Sequence, residues 1–456
     1  MNTKSLITFC TGVGTVTGAN FLLKTPAGTK ILVDCGMVQG ERVAAEENAE
    51  TFPYDLSTIS ALFITHAHLD HVGRIPKLVK DGYTGPIYST PQTREIAELV
   101  LNDAVGIIAM EARQLKAEPL YNLDEVKAVF PQWKTIEYHT EFKLSADVTI
   151  FLKDAGHILG SSMVEVTVGR TEKILFTGDL GNSPAPLLRD TEPVGDVDYL
   201  VMESVYGDRN HESREERLDK FEQIIKDTVS RGGTLVIPAF AVDRTQVLLY
   251  ELNNLVESKK IPSVPVFVDS PMATNVTDVY KSNTDLFNET ALKQIHGGDN
   301  IFAFPHLKFT MSQNDSRMID DTKGAKIILA GSGMSVGGRV VGHEEYYMPD
   351  ARSTILLVGY QTPGSLGRRL ADGAKKVTMH GREVEVKAKI ETLYGYSAHK
   401  DGDHLLEFVT TATDRLKKVF VVMGEPGAAM HLAQRINDET KTKAMTPERK
   451  KEYVLE

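Results

Sequence analysis

Three imidazoles and a carboxylate fall within six residues, at His66-Ala67-His68-Leu69-Asp70-His71. Neutral imidazole nitrogens suit zinc, and a carboxylate can share its load between two ions. The preceding run Ala61-Leu62-Phe63-Ile64 reads as a buried strand, so the cluster sits where that strand ends. A strand running into a turn can aim side chains of opposite parity at one point. A lone His on an apolar face is ordinarily a core or surface residue, but this spacing is of another kind. A complete site needs further ligands. His157 lies among small residues in Ala155-Gly156-His157-Ile158-Leu159-Gly160-Ser161-Ser162, where backbone can approach a metal closely. Asp179 ends the strand-like run Lys173-Ile174-Leu175-Phe176-Thr177-Gly178-Asp179. Strand–Gly–Asp turns recur for conformational reasons alone, so the order after the His cluster gives these two their weight.

Two more polar groups follow. Tyr199-Leu200-Val201-Met202 is a buried strand ending in Glu203-Ser204-Val205-Tyr206-Gly207, and Tyr396-Ser397-Ala398-His399 places a His in a turn. With the motifs above, these strings resemble the metallo-β-lactamase superfamily and, within it, the β-CASP nucleic-acid-processing branch. The wording is closer to the cleavage-and-polyadenylation endonuclease type, in its prokaryotic form, than to ribonuclease J. The resemblance covers residues from about 5 to 436 and implies an αββα sandwich carrying an inserted β-CASP domain. It implies that His66, His68 and His157 hold one Zn²⁺, that Asp70 and His71 hold a second, and that Asp179 bridges them. Asp34, in a strand and turn before the metal motif, is expected to support the site without binding metal. His399 is expected to act as general acid, with Glu203 orienting it. One departure stands out. The family's last ligand sits in a His-Gly-Glu turn, which here reads Met423-Gly424-Glu425. A thioether is a poor partner for zinc held by oxygens and imidazoles, so the second zinc is expected to be the weaker.

The elements around these motifs divide the chain. Residues 1–207 and 372–456 read as the two parts of the metallo-β-lactamase domain, and 208–371 as the insertion. Inside the insertion, short apolar strands alternate with helical stretches, the pattern of a doubly wound parallel sheet. Loops after those strands are candidates for RNA contact. Arg244 opens a helix, where free N–H groups and the guanidinium suit a phosphate. Ser332, Gly333, Gly337, Gly338 and Arg339 lie in a loop whose glycines leave room for an anion nest, and Arg368 follows the next strand. An ordinary βα turn remains the alternative at Arg244. The tail after Asp438, rich in Lys, Glu and Thr, is expected to be partly mobile.

With 456 residues, 41% hydrophobic and 25% charged, the chain is long enough for two or three ordinary globular domains. Two cysteines, Cys10 and Cys35, argue against a disulfide framework and fit a reducing, cytoplasmic setting. No apolar run is long enough to span a membrane, and the N-terminus does not read as a signal peptide. The net charge of −11 argues against nonspecific coating of nucleic acid. It does not exclude cleavage of a threaded strand. The expected activity is hydrolysis of single-stranded RNA by metal-activated water, endonucleolytic with 5′-exonuclease trimming left open, as is a homodimer. A degenerate RNA-binding paralogue and a small-molecule metallo-hydrolase are the alternatives.

Overall fold

The computed structural model describes residues 4–40, 44–362 and 364–456. It divides into two compact units, one formed by residues up to Asn210 together with His399–Glu456, the other by His211–Ala398.

In the first unit two seven-stranded sheets carry the structure. One runs, in spatial order, Glu452–Val454, Leu6–Thr11, Asn20–Lys24, Lys30–Val33, Ala61–Phe63, Ile87–Ser89 and Trp133–Thr135. The other runs Lys443–Met445, Lys418–Val421, Tyr199–Met202, Glu172–Phe176, Ser162–Val168, Val148–Asp154 and Phe142–Lys143. Strand parity explains the layering. Ile174, Phe176, Tyr199 and Val201 join Phe9, Phe21, Val33 and Phe63 in a cluster between the sheets. Their neighbours Leu175, Leu200 and Met202 point the other way and pack on Leu405, Phe408, Leu432 and Ile436, which belong to the helices Gly402–Thr410 and Pro426–Glu439. Alternate residues thus face alternate layers. On the first sheet's side the long helix Pro91–Leu115 buries Ile96, Ala97, Val100, Leu101 and Ala104. The result is the expected αββα sandwich.

The second unit is built on a six-stranded sheet in the order Leu307–Phe309, Val266–Asp269, Lys326–Ala330, Thr234–Pro238, Thr354–Val358 and Lys389–Leu393. Every pairing in it is parallel. The strands Thr234–Pro238, Lys326–Ala330 and Thr354–Val358 are buried along their whole length, as a parallel sheet covered on both faces requires.

Two expectations need correction. The boundary expected at 371/372 is displaced to 398/399, because Lys389–Leu393 pairs in parallel with Thr354–Val358 and stays with the second unit; the boundary expected at 207/208 stands against an observed 210/211. The segment after Asp438 is tied into both sheets of the first unit. Lys443–Met445 pairs with Lys418–Phe420, and Glu452–Val454 with Leu6–Thr8.

Candidate metal centre

The candidate ligands sit in turns at strand ends or in a short helix that follows one. His66 follows Ala61–Phe63; His68 caps the short helix Leu69–Val72, which carries Asp70 and His71. His157 lies between the strands Val148–Asp154 and Ser162–Val168. Asp179 follows Glu172–Phe176. Its neighbour Gly178 has φ +56°, and a Cβ there would stand 2.6 Å from the Cβ of Thr65. Glycine lets the Asp179 turn close on the histidine turn.

His68 Nδ1 is 3.1 Å from His66 Nε2 and 3.2 Å from His157 Nε2. Those two Nε2 atoms lie 3.4 and 3.6 Å from Asp179 Oδ2. Four ligands at zinc's usual bond lengths, tetrahedrally arranged, stand about 3.4 Å apart. The other carboxylate oxygen, Asp179 Oδ1, is 3.3 Å from His71 Nε2, which is 3.8 Å from Asp70 Oδ2. Asp179 therefore turns one oxygen to each ligand group. His71 Nε2 and Asp179 Oδ1 are buried without a hydrogen-bond partner. Buried polar atoms left unpaired are costly, and a metal ion accounts for both.

Supporting residues set the ring orientations. Asp34 Oδ2 accepts from His71 Nδ1 at 2.8 Å and from the Thr65 hydroxyl at 2.9 Å. The Thr65 Oγ1 in turn lies 3.1 Å from His66 Nδ1. A hydroxyl that donates to Asp34 can accept from His66, which leaves Nε2 of both rings as lone-pair atoms facing the metal positions. Burial pushes His66 down to about 4 and holds His68 and His157 well below the usual imidazole range. Neutral imidazole is the form that binds metal. At His71 burial works in the same direction, but Asp179, Asp34 and Asp70 outweigh it and hold the ring well above that range. That excess of carboxylates is an environment built for a cation.

His399 and Glu203 meet beside this cluster. His399 follows the second unit in sequence, yet it bridges Gly181 while Asp401 bridges Tyr206. Glu203 is fully buried; its Oε1 accepts from Leu180 N at 2.7 Å and from His399 Nδ1 at 3.0 Å, and its Oε2 from Val205 N at 3.2 Å. Burial disfavours a charged His399, but Glu203 and Asp179 prevail and raise it to about 9. Asp179, Glu203 and His399 also lie close enough to form a metal-capable group of their own. Met423 is buried in the apolar cluster with Phe9, Phe21 and Phe420. Its sulfur would stand 2.8 Å from a Cβ at Gly12.

The expected RNA contacts fall in the second unit, and two of them are otherwise engaged. Arg339 donates to Asp269 Oδ1 at 2.7 Å and to the carbonyls of Thr310 and Met311 at 3.3 and 2.7 Å. Arg244 is buried at 7% exposure in the helix Arg244–Glu257. Arg368 remains at the surface, paired with Asp372 at 3.0 Å. The Ser332 hydroxyl donates to Val336 O and accepts from Val336 N, bracing its own loop. Gly337 and Gly338 hold φ of +73° and +72°, and the Gly333 carbonyl accepts from Gln361.

The anchor that holds Arg339 went unread in the sequence. Fully buried Asp269 accepts from Thr310, Ser316, Arg339 and His343, the last at 2.7 Å. His343 is a buried part of it. Burial opposes the Asp269 charge, but those hydrogen bonds hold the carboxyl well below the usual range. Asp269→Ala should destabilise the second unit by about 3–5 kcal/mol, nearer the lower end because Arg339 keeps some solvent contact. A depressed carboxyl stabilises above its unfolded value near 3.9, and that contribution fades as pH falls. Denaturation midpoints of wild type and variant should therefore differ most at neutral pH and converge below about pH 4. A constant gap down to pH 3 would refute this.

Sequence and structure comparisons place the chain among known proteins. A metallo-beta-lactamase superfamily domain matches residues 22–192, a Beta-Casp domain 245–370, and a Zn-dependent metallo-hydrolase RNA specificity domain 383–447. Ribonuclease TTHA0252 of Thermus thermophilus is 35% identical over 86% of this chain and 88% of its own length. The transcription termination factors FttA of Methanosarcina mazei and Methanocaldococcus jannaschii are 31% and 30% identical, over 93% and 97% of this chain and 68% and 70% of theirs. A crystal structure of a protein of unknown function from Enterococcus faecalis aligns with TM-score 0.56 over 99% of this chain and 100% of its own, at 13% identity, a likeness of fold alone. At the identity shared with the Thermus ribonuclease, along most of both sequences, the chain belongs to the β-CASP family of metallo-β-lactamase-fold nucleases.

Proposed function

We propose that the protein is a zinc-dependent hydrolase that cleaves phosphodiester bonds of single-stranded RNA, with His399 as general acid. The observation that carries this reading is the placement of Asp179. Its two oxygens address separate ligand groups, His66–His68–His157 and Asp70–His71, and Oδ2 lies 3.9 Å from His399 Nδ1. When bound, zinc at these residues supplies Lewis acidity toward phosphate oxygen and lowers the pKa of a water to about 7. Glu203, fixed by two backbone N–H groups, takes the Nδ1 proton of His399 in a hydrogen bond and leaves Nε2 to carry the transferable one. Asp34 and Thr65 hold His71 and His66 with their lone pairs toward the metal. Attack by water without help from a ribose hydroxyl gives 5′-phosphate and 3′-hydroxyl ends. A cytoplasmic location, internal cleavage and a homodimer belong to the same reading.

Elemental analysis of the purified protein, together with incubation on end-labelled single-stranded RNA, tests it. Zinc bound to the chain and fragments ending in 5′-phosphate are the expected result. Absence of cleavage in a zinc-loaded sample would reject it. A second expectation concerns Met423. With an apolar thioether where the family has an imidazole, the Asp70–His71–Asp179 position should hold zinc less tightly than the other. Met423→His should raise bound zinc toward two per chain after dialysis against a weak chelator. Two equally retained zincs in the unmodified protein would contradict this.

A further inference from the structure

The strand Thr234–Pro238 and Ala239 are buried, yet the next residue, Phe240, is 40% exposed. Its backbone is fixed, because the Phe240 carbonyl accepts from both the N–H and the hydroxyl of Thr245, at 3.2 and 2.8 Å. What the ring rests on is unusual. A Cβ at Gly333 would stand 2.6, 2.8 and 2.9 Å from ring carbons Cδ2, Cε2 and Cγ of Phe240. Three bonded ring carbons at nearly equal distance place that point above the ring face, since a point off the edge would be much farther from two of them. One ring face therefore sits over Gly333, where only glycine leaves room, while 40% of the residue stays exposed. The supporting loop is itself braced. The Gly333 carbonyl accepts from Gln361 at 3.1 Å, the Gly331 carbonyl from Val340 N at 3.0 Å, and Ser335 donates to buried Glu344. Tyr346, more exposed at 60%, meets Tyr347 in a T-shaped contact and has no glycine backbone beneath its ring among the described residues.

We infer that Phe240, seated on Gly333, is a stacking platform for one base of the RNA substrate. The inference rests on the RNA nuclease reading above and adds to it a residue that touches a base. An aromatic face with its other side held rigid suits an unpaired base, because every base presents a π-face whatever its identity. Contacts of this kind carry little sequence preference and do not depend on charge. The platform thus offers affinity for single-stranded RNA that a chain of net charge −11 does not draw from a general excess of cations.

The test uses the zinc-loaded full chain and unstructured RNA of mixed sequence. Phe240→Ala should raise KM by about 5- to 100-fold with kcat nearly unchanged, and the salt dependence of KM should keep its slope. Phe240→Trp should restore KM and Phe240→Leu should not, which separates stacking from apolar bulk. Wild type should lose a similar factor on a strand with one abasic position placed in turn along it, whereas Phe240→Ala should be indifferent to that position. Tyr346→Ala should match wild type. Wild-type cleavage with an unchanged KM in Phe240→Ala, or full rescue by Leu, overturns the platform alone. A wild-type enzyme with no action on single-stranded RNA overturns the nuclease reading and the platform with it.

Discussion

Asp179→Ala should abolish RNA cleavage and strip the protein of metal at both positions. Loss of a residue that only supports a ligand already costs about 10–100-fold in metal affinity or activity. Asp179 is a candidate ligand itself, and each of its oxygens faces a different group, at 3.4 and 3.6 Å on one side and 3.3 Å on the other. The loss should therefore exceed that range at both positions together. Charge matters beside geometry. Burial opposes its ionisation, but His71, His66 and His399 hold the carboxyl well below its usual range, so it is ionised wherever the enzyme works. Asp179→Asn keeps the shape without the charge and should fail nearly as completely. Zinc-to-protein ratio and cleavage of labelled RNA are the measurements, with the melting temperature as a check on folding. A variant that folds, retains two zincs and still cleaves would remove Asp179 from the centre.

His399→Ala should behave differently, leaving zinc content near normal while kcat falls by about 10²–10⁴-fold, the range for a lost general acid. The acid must be protonated to act. In the metal-free chain Glu203 and Asp179 raise His399 to about 9; zinc ions beside Asp179 repel the imidazolium and lower that value, so the wild-type rate should fall as pH rises, along a limb lying below pH 9. The variant should lack this alkaline limb. Glu203→Gln removes part of the upward push, and its limb should move to lower pH. Asp179, Glu203 and His399 can also be read as a metal-capable group, and the experiment separates the roles. If His399→Ala releases zinc, the imidazole is a ligand standing in for the one that Met423 lacks, and the proton donor lies elsewhere.

The metal centre was legible in the sequence because its residues are short-range motifs. His66, His68, Asp70 and His71 lie within six residues, His157 stands among small residues, and Asp179 and Glu203 each end a recognisable apolar strand. Their grouping into two positions came from family resemblance, since no spacing rule links residue 71 to residue 179. Thr65 went unread, as a Thr beside a His carries no signal until Asp34 is folded against both. The anchoring of Arg339 is equally silent in the sequence, because its partner Asp269 stands 70 residues away. The boundary near residue 371 failed on composition. The strand Lys389–Leu393 mixes Lys, Glu and Thr with Ile and Leu and only Leu393 is buried, as suits the edge of a sheet. It did not read like the buried strands inside. The same holds for the tail, whose two strands are only three residues long, each opening on a charged residue, Lys443 and Glu452.

The bridge that brings His399 to Gly181 across the inserted unit has a consequence for the order in which the enzyme is made. Every candidate ligand, from His66 to Asp179, leaves the ribosome before the first residue of the second unit. His399 reaches Glu203 across 196 residues of chain, most of it forming that unit. Closing so long a loop adds little thermodynamic cost, about 0.6 kcal/mol per doubling of length. It does impose a sequence in time, since domains fold largely as units and the N-terminal part emerges first. The ligand-bearing turns are thus made before His399, before the strand Lys418–Val421 that pairs with Tyr199–Met202, and before the helices Gly402–Thr410 and Pro426–Glu439 that cover the second sheet. A folding defect in the insertion should therefore disturb the first unit as well, because the insertion separates the two chain segments that build it.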